Sequence, residues 1–577
     1  MSTNNVSMEG FSVSETLPDR LPRDKFLLSV FAVCIGAAVI AVPALVSGTR
    51  FVVSNLPGLT PILFLLGALV TVGLSWIKYP SEAPYLRITL AGCGLVVGLN
   101  TLWLGFDFPV VHEAIHQGVS PLFPVAALIA FVAGVLSLYR PAFAIISAIV
   151  FVIQKQLVIA MAGGLPGFSH YLVIVDTIVF VAAAIVAMSL AQIVVRKFLK
   201  PDQSATLNTR SNLELYYLIV MCIAIGVHFG NYFLSGFGKA MLDGGLISWI
   251  LENKTQYTML AGYNLGSAPL AFSESLFGFS YMAFDKVFIL LNLAVLFSQL
   301  FCFMAFYRKK FMLMWVVFFD IMHVTIFVLT GALFIHWIIL NSLLVISVTK
   351  MPKNLAPKPA LLIGVFATVL GHFFFNTMQM AWYDNKQVRD TGFVAVYADG
   401  SEARVPPNFY RESAYGFYNR WFRLDRDTGG MVDSPIGGMQ STEWPAQTAA
   451  WGQVAKIDDM RRGESCEAPP IPEQANQIDF DYQAVEAYIR ARHAWALEKI
   501  KNGKSLRYNF YPHDHFTMPW RFKKFRQADV KDIVSYYYRV ETVCLDWQDG
   551  ALERQVITRA ATEPFVVARD DDGSNGT

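Results

Sequence analysis

Long apolar runs follow one another through most of the chain, and they restrict its fold more than any other feature. Each run approaches the length of about 20 residues with which an α-helix crosses the hydrocarbon core of a bilayer. Helices and closed barrels are the only structures that satisfy every backbone hydrogen bond there. The sequence therefore predicts an all-α polytopic membrane bundle of eleven transmembrane helices. The runs lie at residues 26–46, 58–77, 86–106, 119–138, 142–161, 170–193, 214–235, 283–306, 312–332, 334–349 and 359–380.

The charged residues divide the chain into a membrane part and a water-soluble part. They make up only 16% of the 577 residues, against about 25% in soluble domains, and they become frequent only after residue 381. The lipid bilayer is therefore the first partner expected, and a net charge of +2 does not indicate a nucleic-acid partner. The predicted units are a cytoplasmic tail at 1–25, a transmembrane domain at 26–381, a C-terminal α+β domain at 382–565 and a disordered tail at 566–577.

Basic loops set the predicted orientation. Residues 311–349 form one apolar block flanked by "YRKKF" and "TKMPKNLAPK". Basic flanks prefer the cytoplasmic side, so the block should hold two helices that turn between Gly331 and His336. The other basic loops follow even-numbered spans. An integral protein of the bacterial inner membrane or an equivalent membrane is expected, with a cytoplasmic N-terminus and an extracytoplasmic C-terminal domain.

The C-terminal domain carries local signals for both strands and helices. "TGFVAVYADGSEARVPP" and "VKDIVSYYYRVETVCLDWQDGALERQVIT" each read as two strands about an Asp-Gly turn. Between them, "FDYQAVEAYIRARHAWALEKIKNG" reads as an amphipathic helix that glycine ends. Residues 425–478, rich in Gly, Pro and Ser, are expected to loop over the surface.

The six cysteines fall into two groups. Four lie inside apolar runs, where a free cysteine behaves as a small core residue. Cys466 and Cys544 lie in the soluble part, and a pair outside the cytoplasm can form a disulfide. We expect that bond, the alternative being two free thiols in a reducing compartment. The four core cysteines are Cys34, Cys93, Cys222 and Cys302.

A possible metal site comes from "VVHEAIHQG". His112 and His116 are one helical turn apart and Glu113 is adjacent, as in zinc hydrolases. An aspartate in "LDGG" at 242–245 would complete the pattern of an intramembrane metalloprotease. However, the histidines lie in a proline-bracketed loop between two spans, on the side predicted to be outside. A short interfacial helix is the preferred interpretation, and no metal is expected.

Two further sets of polar residues have simple interpretations. His513, Asp514 and His515 in "YPHDHF" could approach one metal, but the sequence offers no further ligand, so a solvated loop is favoured. Polar groups inside the spans usually pair with one another in the bundle interior. The polar side chains considered there are His228, Asp320, His323, Asn341 and His372.

Lys239 stands out because it lies at the end of an apolar run, in "YFLSGFGKAMLDGG". Gly236 and Gly238 lower the local helix propensity, so the helix could end or bend there. A lysine in this position can reach the headgroups with its charged tip. Alternatively, it can serve as a base if it faces a partly dry pocket in the bundle interior.

Four segments resemble the vitamin K-dependent γ-carboxylase family, part of a wider group with a horizontally transferred transmembrane (HTTM) domain. In family order they are "FSHYLVIV", "YFLSGFGKAM", "FFDIMHVTIFVLTGALF" and "MAWYDNKQVRDTGFVAVYADGSEARVPPNFY". Together they span about residues 168–410, and the HTTM-like part is 168–381. Ser169 replaces a common asparagine, and Gln299 stands where many relatives have glutamate.

The resemblance implies a mechanism and a site. In the family, a lysine deprotonates a reduced quinone, oxygen adds, and the resulting strong base lets a protein glutamate take up carbon dioxide. Carried over, Lys239 would be the base, with His170 and His323 as the nearest polar groups. The leading hypothesis is thus a quinol-linked membrane enzyme acting on a protein or a small molecule.

Two other functions remain open from the sequence. The first is a non-catalytic membrane scaffold that binds a protein partner through its C-terminal domain. The second is a membrane metallohydrolase that uses His112, Glu113 and His116. A fold-level resemblance does not decide between them, because one fold can carry different activities.

Overall fold

The structure is a computed structural model. Most of its helices are apolar and precede the strands in the chain. It describes residues 25–104, 122–161, 172–198, 201–240, 246–352, 358–377, 381–384, 386–406, 409, 422–423, 438–440, 464–466, 478–479, 481–504, 506, 518–527 and 529–567.

The helices occupy the predicted apolar runs and a few of the connections between them. The first contains a π-helical turn at Pro43–Ser47. In chain order, the described helices are α1 (Lys25–Asn55), α2 (Thr60–Leu74), α3 (Pro84–Leu104), α4 (Leu122–Leu136), α5 (Ala142–Met161), α6 (Leu172–Phe198), α7 (Pro201–Leu207), α8 (Arg210–Ala240), α9 (Ser248–Glu252), α10 (Tyr257–Leu265), α11 (Glu274–Leu300), α12 (Lys309–Thr330), α13 (Ile335–Thr349), α14 (Lys358–Leu370), α15 (Tyr482–Lys501) and α16 (Lys523–Gln527).

Each predicted run contains an apolar helix, but the helices differ in length. Among the described residues, six helices are long and apolar enough to cross a membrane, namely α1, α3, α6, α8, α11 and α12. Five further apolar helices, α2, α4, α5, α13 and α14, fall below that length over their fully described stretches of 10–17 residues. A mostly helical protein with candidate membrane-spanning helices is therefore confirmed, whereas a count of eleven crossings stays a prediction.

The predicted helical pair in residues 311–349 is present. α12 ends at Gly331, whose φ of +81° suits glycine, and α13 begins four residues later. A side chain at Gly331 would also collide with the backbone of Ser267. At the other end of the pair, Lys309 donates to the carbonyl oxygens of Thr349 (2.8 Å) and Met351 (2.6 Å). The two basic flanks therefore lie at the same end of an antiparallel hairpin.

Helix α8 is the centre of the bundle, since 94% of its most apolar stretch is buried. Glycines allow a neighbour to approach it closely. A Cβ atom at Gly226 would come within 2.7 Å of the carbonyl oxygen of Gly364 on α14, and one at Gly230 within 3.1 Å of that of Thr368. Small residues spaced four apart let membrane helices pack backbone to backbone in this way.

The described strands lie in the C-terminal part and form three sheets. They are β1 (Ala381–Tyr383), β2 (Gln387–Tyr397), β3 (Glu402–Arg404), β4 (Phe422–Arg423), β5 (Gly438–Gln440), β6 (Ile478–Asp479), β7 (Ile533–Gln548), β8 (Ala551–Ala561) and β9 (Phe565–Val566). The largest sheet is antiparallel, with the order β3–β2–β7–β8 and with β9 also paired to β7. Two small sheets pair β1 with β5, antiparallel, and β4 with β6, parallel. Both predicted hairpins are confirmed in the largest sheet, and their Asp-Gly turns contain Gly400 (φ +78°) and Gly550 (φ +82°).

The sheet buries apolar side chains in two separate cores. In one, Phe393, Tyr536 and Tyr538 pack against the predicted helix α15, which Asp481 caps and Gly503 follows. In the other, strand residues including Val388 and Leu545 pack against α10 and the first turns of α11. The second core attaches the sheet to the membrane helices. Most of the predicted loop region at 425–478 lies outside the described residues.

The expected disulfide between Cys466 and Cys544 is present, with Cα atoms 5.6 Å apart. It fixes a short segment at 464–466 to strand β7. The ammonium group of Lys254 lies 4.0 Å from the carboxylate of Glu464 in the same segment. The four cysteines predicted to be core residues are buried and free.

Replacing Cys466 by serine should destabilise the C-terminal part by about 2–4 kcal/mol, because the unfolded chain loses a cross-link between residues 78 apart. The measurement is thermal unfolding of the purified protein with and without reductant. Reductant should lower the unfolding temperature of the wild type and leave that of the Cys466→Ser variant unchanged. An equal response in both proteins would contradict the prediction.

Candidate functional site at Lys239

Lys239 lies in the last turn of α8 and is buried, with 2% of its surface exposed. Its Nζ donates to the carbonyl oxygen of Ser235 (3.4 Å) and to Oε1 of Gln299 on α11 (3.2 Å). It also lies 5.4 Å from the ring centroid of Trp249 on α9. The ammonium group is thus enclosed by three helices, and the interpretation in which it reaches out to the headgroups is wrong for this structure.

The helix does not end at the glycines that precede Lys239. It continues through Gly236 and Gly238 to Ala240. Gly236 has a packing role, since a Cβ atom there would lie 2.7 Å from the Cβ of Gln299. The missing side chain lets α11 approach α8, and this approach brings the amide of Gln299 to Lys239.

A buried carboxylate, that of Asp384, lies in the segment that follows β1. Asp384 is 3% exposed, and its negative charge acts on Lys239. Asn253 holds Asp384 at two points, donating from Nδ2 to the carboxylate (3.0 Å) and accepting from the Asp384 backbone N–H (2.7 Å). The hydroxyl of Thr258 donates to the same carboxylate.

The support of Asp384 extends to a membrane helix. Asn292 on α11 donates to the carbonyl oxygen of Asn253 (2.6 Å) and accepts from the hydroxyl of Thr255 (2.5 Å). The network therefore joins the segment after β1, the α9–α10 connection and α11. A buried network whose polar groups are hydrogen-bonded holds its side chains rigidly. The carboxylate of Asp384 therefore has a fixed position near Lys239.

His323 belongs to a second cluster on the same face of α8. Its ring lies 5.7 Å from that of Tyr232 and 5.5 Å from that of Trp337, measured between centroids. Tyr232 precedes Lys239 by seven residues, so the two side chains are about 10 Å apart along the helix axis. His323 thus packs against Tyr232, two turns before Lys239 along α8, and its role beside the Lys239 amine stays a prediction.

The second cluster is held by hydrogen bonds between helices. His228 Nε2 lies 2.7 Å from Oδ1 of Asn341 on α13, and Asn341 donates to the hydroxyl of Tyr232 (3.1 Å). The Tyr232 ring stacks on Phe319 of α12 at 3.6 Å. The interpretation of His228 and Asn341 as a helix-to-helix pair is confirmed.

Several predicted site residues lie outside the described residues. These include His170, the second residue carried over from the resemblance. They also include both motifs considered for metal binding. Within the part of the chain that the structure describes, no group of three or more His, Cys, Asp or Glu side chains could hold a metal ion. The residues outside are His112, Glu113, His116, His170, His513, Asp514 and His515.

Three groups near Lys239 or in the bundle were not predicted from the sequence. Trp249 and Asp384 lack a local signature, since they reach the site only through the tertiary fold. Asp176 did have one, as a carboxylate inside an apolar run is a functional signal in itself. It is fully buried on α6 and accepts from the backbone and side-chain N–H groups of Asn376 (2.6 and 3.0 Å).

Comparison with known proteins gives no family for this chain. No protein-family model, curated protein or solved structure matches it. What the site can do therefore follows from its own chemistry. Lys239 offers a nitrogen that can exchange a proton, Gln299 orients it, Trp249 provides an aromatic face, and Asp384 supplies a fixed negative charge.

A further buried carboxylate lies in the sheet, outside the membrane helices. Asp390 on β2 pairs with Arg404 and, at 3.1 Å, with Arg554. Burial by itself would raise the pKa of Asp390, but the charges of Arg404, Arg554 and Arg539 outweigh it, so the pKa lies below its ordinary value of 3.8. The opposite residue on β7, Glu541, is fully buried and binds Arg554 and Arg559.

The lowered pKa of Asp390 predicts how stability depends on pH. A carboxylate with a lowered folded-state pKa stabilises the fold above its unfolded pKa, and that contribution is lost as the pH falls through the folded value. Thermal unfolding between pH 7 and pH 3 should therefore show a decline below about pH 4. Asp390→Asn should lower the stability at pH 7 by about 3 kcal/mol and flatten the acid decline.

The matched control is Glu553→Gln, since Glu553 is an exposed carboxylate on β8 of the same sheet. It should leave both the stability and the pH profile close to those of the wild type. An acid decline that persists unchanged in Asp390→Asn would contradict the assignment.

Proposed function

We propose that this chain is a membrane enzyme in which Lys239 takes a proton from a ring-shaped, membrane-soluble substrate, a reduced quinone being the first candidate. The observation that carries the proposal is the enclosure of the Lys239 amine between α8, α9 and α11 beside uncharged acceptors. Intramembrane ionisable groups commonly mark substrate or proton pathways. The resemblance of "YFLSGFGKAM" to the γ-carboxylase segment supports the same assignment.

The residues around the amine have separate roles in this proposal. Lys239 would accept the proton at Nζ, and Oε1 of Gln299 would hold the amine in one orientation. The ring of Trp249 would form one wall for an aromatic substrate. The charge of Asp384 would stabilise the ammonium ion that forms. A reduced quinone, when bound, would supply the acidic hydroxyl and the electrons for oxygen.

A non-catalytic scaffold is the second candidate, and one observation favours it. The polar groups His228, Asn341 and Tyr232 bond to one another within the bundle, as expected of residues that only join helices. In that case Lys239 would likewise only connect two helices, and the disulfide-linked C-terminal part would bind a protein partner. A metallohydrolase has no support among the described residues.

Lys239→Met should abolish turnover while keeping the shape of the side chain. The purified protein in nanodiscs would be supplied with a reduced quinone, and oxygen consumption would be measured. Loss of a positioned acid–base group typically costs about 10²–10⁴-fold in rate, so the variant should fall by at least about 100-fold.

The matched control is Lys286→Met, which makes the same change at an exposed lysine of α11. It should retain the wild-type rate. Full activity in Lys239→Met would refute the proposed base. A wild-type protein that neither retains nor oxidises any quinone, yet forms a stable complex with another protein, would establish the scaffold.

We also propose that eleven helices cross the membrane and place the C-terminal sheet outside the cytoplasm. The Cys466–Cys544 disulfide supports this, because such bonds persist in oxidising compartments. The basic flanks of the α12–α13 hairpin, which lie together at one end, support a pair of crossings there.

A C-terminal alkaline phosphatase fusion should therefore be active, and a C-terminal fluorescent fusion that needs the cytoplasm should be dark. The internal control is a pair of the same fusions placed after Thr349, in the predicted cytoplasmic loop, where the two signals should be reversed. Cytoplasmic reporter activity at both positions would overturn the topology.

A further inference from the structure

A cavity lies where the end of α10 meets β3 and the 519–525 segment. Its volume is about 350 Å³, within the size range of small-ligand sites. It shares no lining residue with the Lys239 site, and it is independent of the function proposed for that residue. Polar and aromatic side chains line it, among them Asn264, Glu402, Arg404, Trp520, Arg521 and Lys524.

Positive charge dominates the lining of this cavity. Arg404, Arg521 and Lys524 face one carboxylate, Glu402. That carboxylate already accepts from the hydroxyl of Tyr537 (2.9 Å). The charge of Lys524 also acts on Asp399, which is exposed at the turn before β3. The cavity is therefore suited to an anion.

The two guanidinium groups are positioned by contacts that use only part of their donors. Arg521 stacks over the ring of Tyr263 at 4.1 Å and donates to the Tyr263 carbonyl oxygen (3.0 Å). Arg404 donates to the carbonyl oxygen of Asn264 (3.1 Å) and pairs with Asp390. A guanidinium carries five N–H donors, so each has capacity for a further acceptor.

The backbone at Gly266 allows Arg521 to approach closely. Gly266 has a φ of +73°, and a Cβ atom there would lie 2.9 Å from the side chain of Arg521. The backbone N–H of Met518 donates to the Gly266 carbonyl oxygen (3.0 Å), which joins the 519–525 segment to the end of α10. The cationic side chains are thus held on ordered elements.

The cavity also lies close to the start of a membrane-crossing helix. α11 begins at Glu274, whose carboxylate accepts from the hydroxyl of Tyr263 (3.1 Å). Phe272 and Phe279 at this end are 67% and 73% exposed, as expected of side chains in contact with lipid. Trp520, on the cavity rim, is 46% exposed, and tryptophan favours the headgroup level.

We propose that this cavity binds a phosphate group, carried either by the headgroup of an anionic lipid or by a free phosphate ester. Arginine forks match phosphate oxygens in geometry and charge, and Lys524 adds a point charge at the open side. The aromatic rim would contact the apolar part of the ligand.

The test compares two neighbouring lysines. Lys524 lines the cavity, whereas Lys523 is equally exposed and does not. Lys524→Glu and Lys523→Glu therefore make the same charge change inside and outside the site. Each protein would be purified in nanodiscs of mixed phosphatidylglycerol and phosphatidylcholine, and retained lipids would be counted by native mass spectrometry. In parallel, glycerol 3-phosphate would be titrated at constant ionic strength, with the unfolding temperature as the readout.

If the ligand is a lipid, wild type and Lys523→Glu should retain phosphatidylglycerol, and Lys524→Glu should retain about tenfold less, as expected for loss of one charge-assisted contact. If it is a free phosphate ester, lipid retention should be equal, and glycerol 3-phosphate should stabilise every protein except Lys524→Glu. Equal behaviour of the two variants in both experiments would overturn the proposal.

Discussion

The burial of α8 is the constraint on which the rest of the structure depends. A helix surrounded by protein on nearly all sides must have each of its polar side chains matched by a neighbour, because hydrocarbon and protein interiors leave no water to do so. His228 meets Asn341, and Lys239 meets Gln299. The glycines on α8 determine how closely α14 and α11 approach it. The same helix therefore provides both the close packing and the hydrogen-bonding partners.

The membrane helices and the sheet form a connected unit because the sheet shares a core with α10 and α11. Val388 and Leu545 pack against those helices, and Asp384 is fixed by Asn253 and Thr258. Asp384, whose charge acts on Lys239, is therefore held by elements that also carry the sheet.

The sequence predicts the elements well and the site poorly, for physical reasons. Hydropathy locates the apolar helices because each must be apolar along its whole length, and the Asp-Gly turns locate both hairpins because few residues adopt a positive φ. In contrast, Gln299 and Trp249 reach Lys239, and the charge of Asp384 acts on it, only because of tertiary packing. The resemblance gives an order along the chain and no distances, so it could not show that His323 packs against Tyr232.

The pairing of β2 with β7 has a consequence for biosynthesis. These strands lie about 150 residues apart in sequence, and β2 follows directly on the membrane helices. One edge of β2 can pair at once with β3, but the other edge must wait for β7, until nearly the whole chain has been made. An unpaired strand edge is a template for aggregation, so the interval before β7 is made is the time at which this sheet is most exposed to wrong pairing.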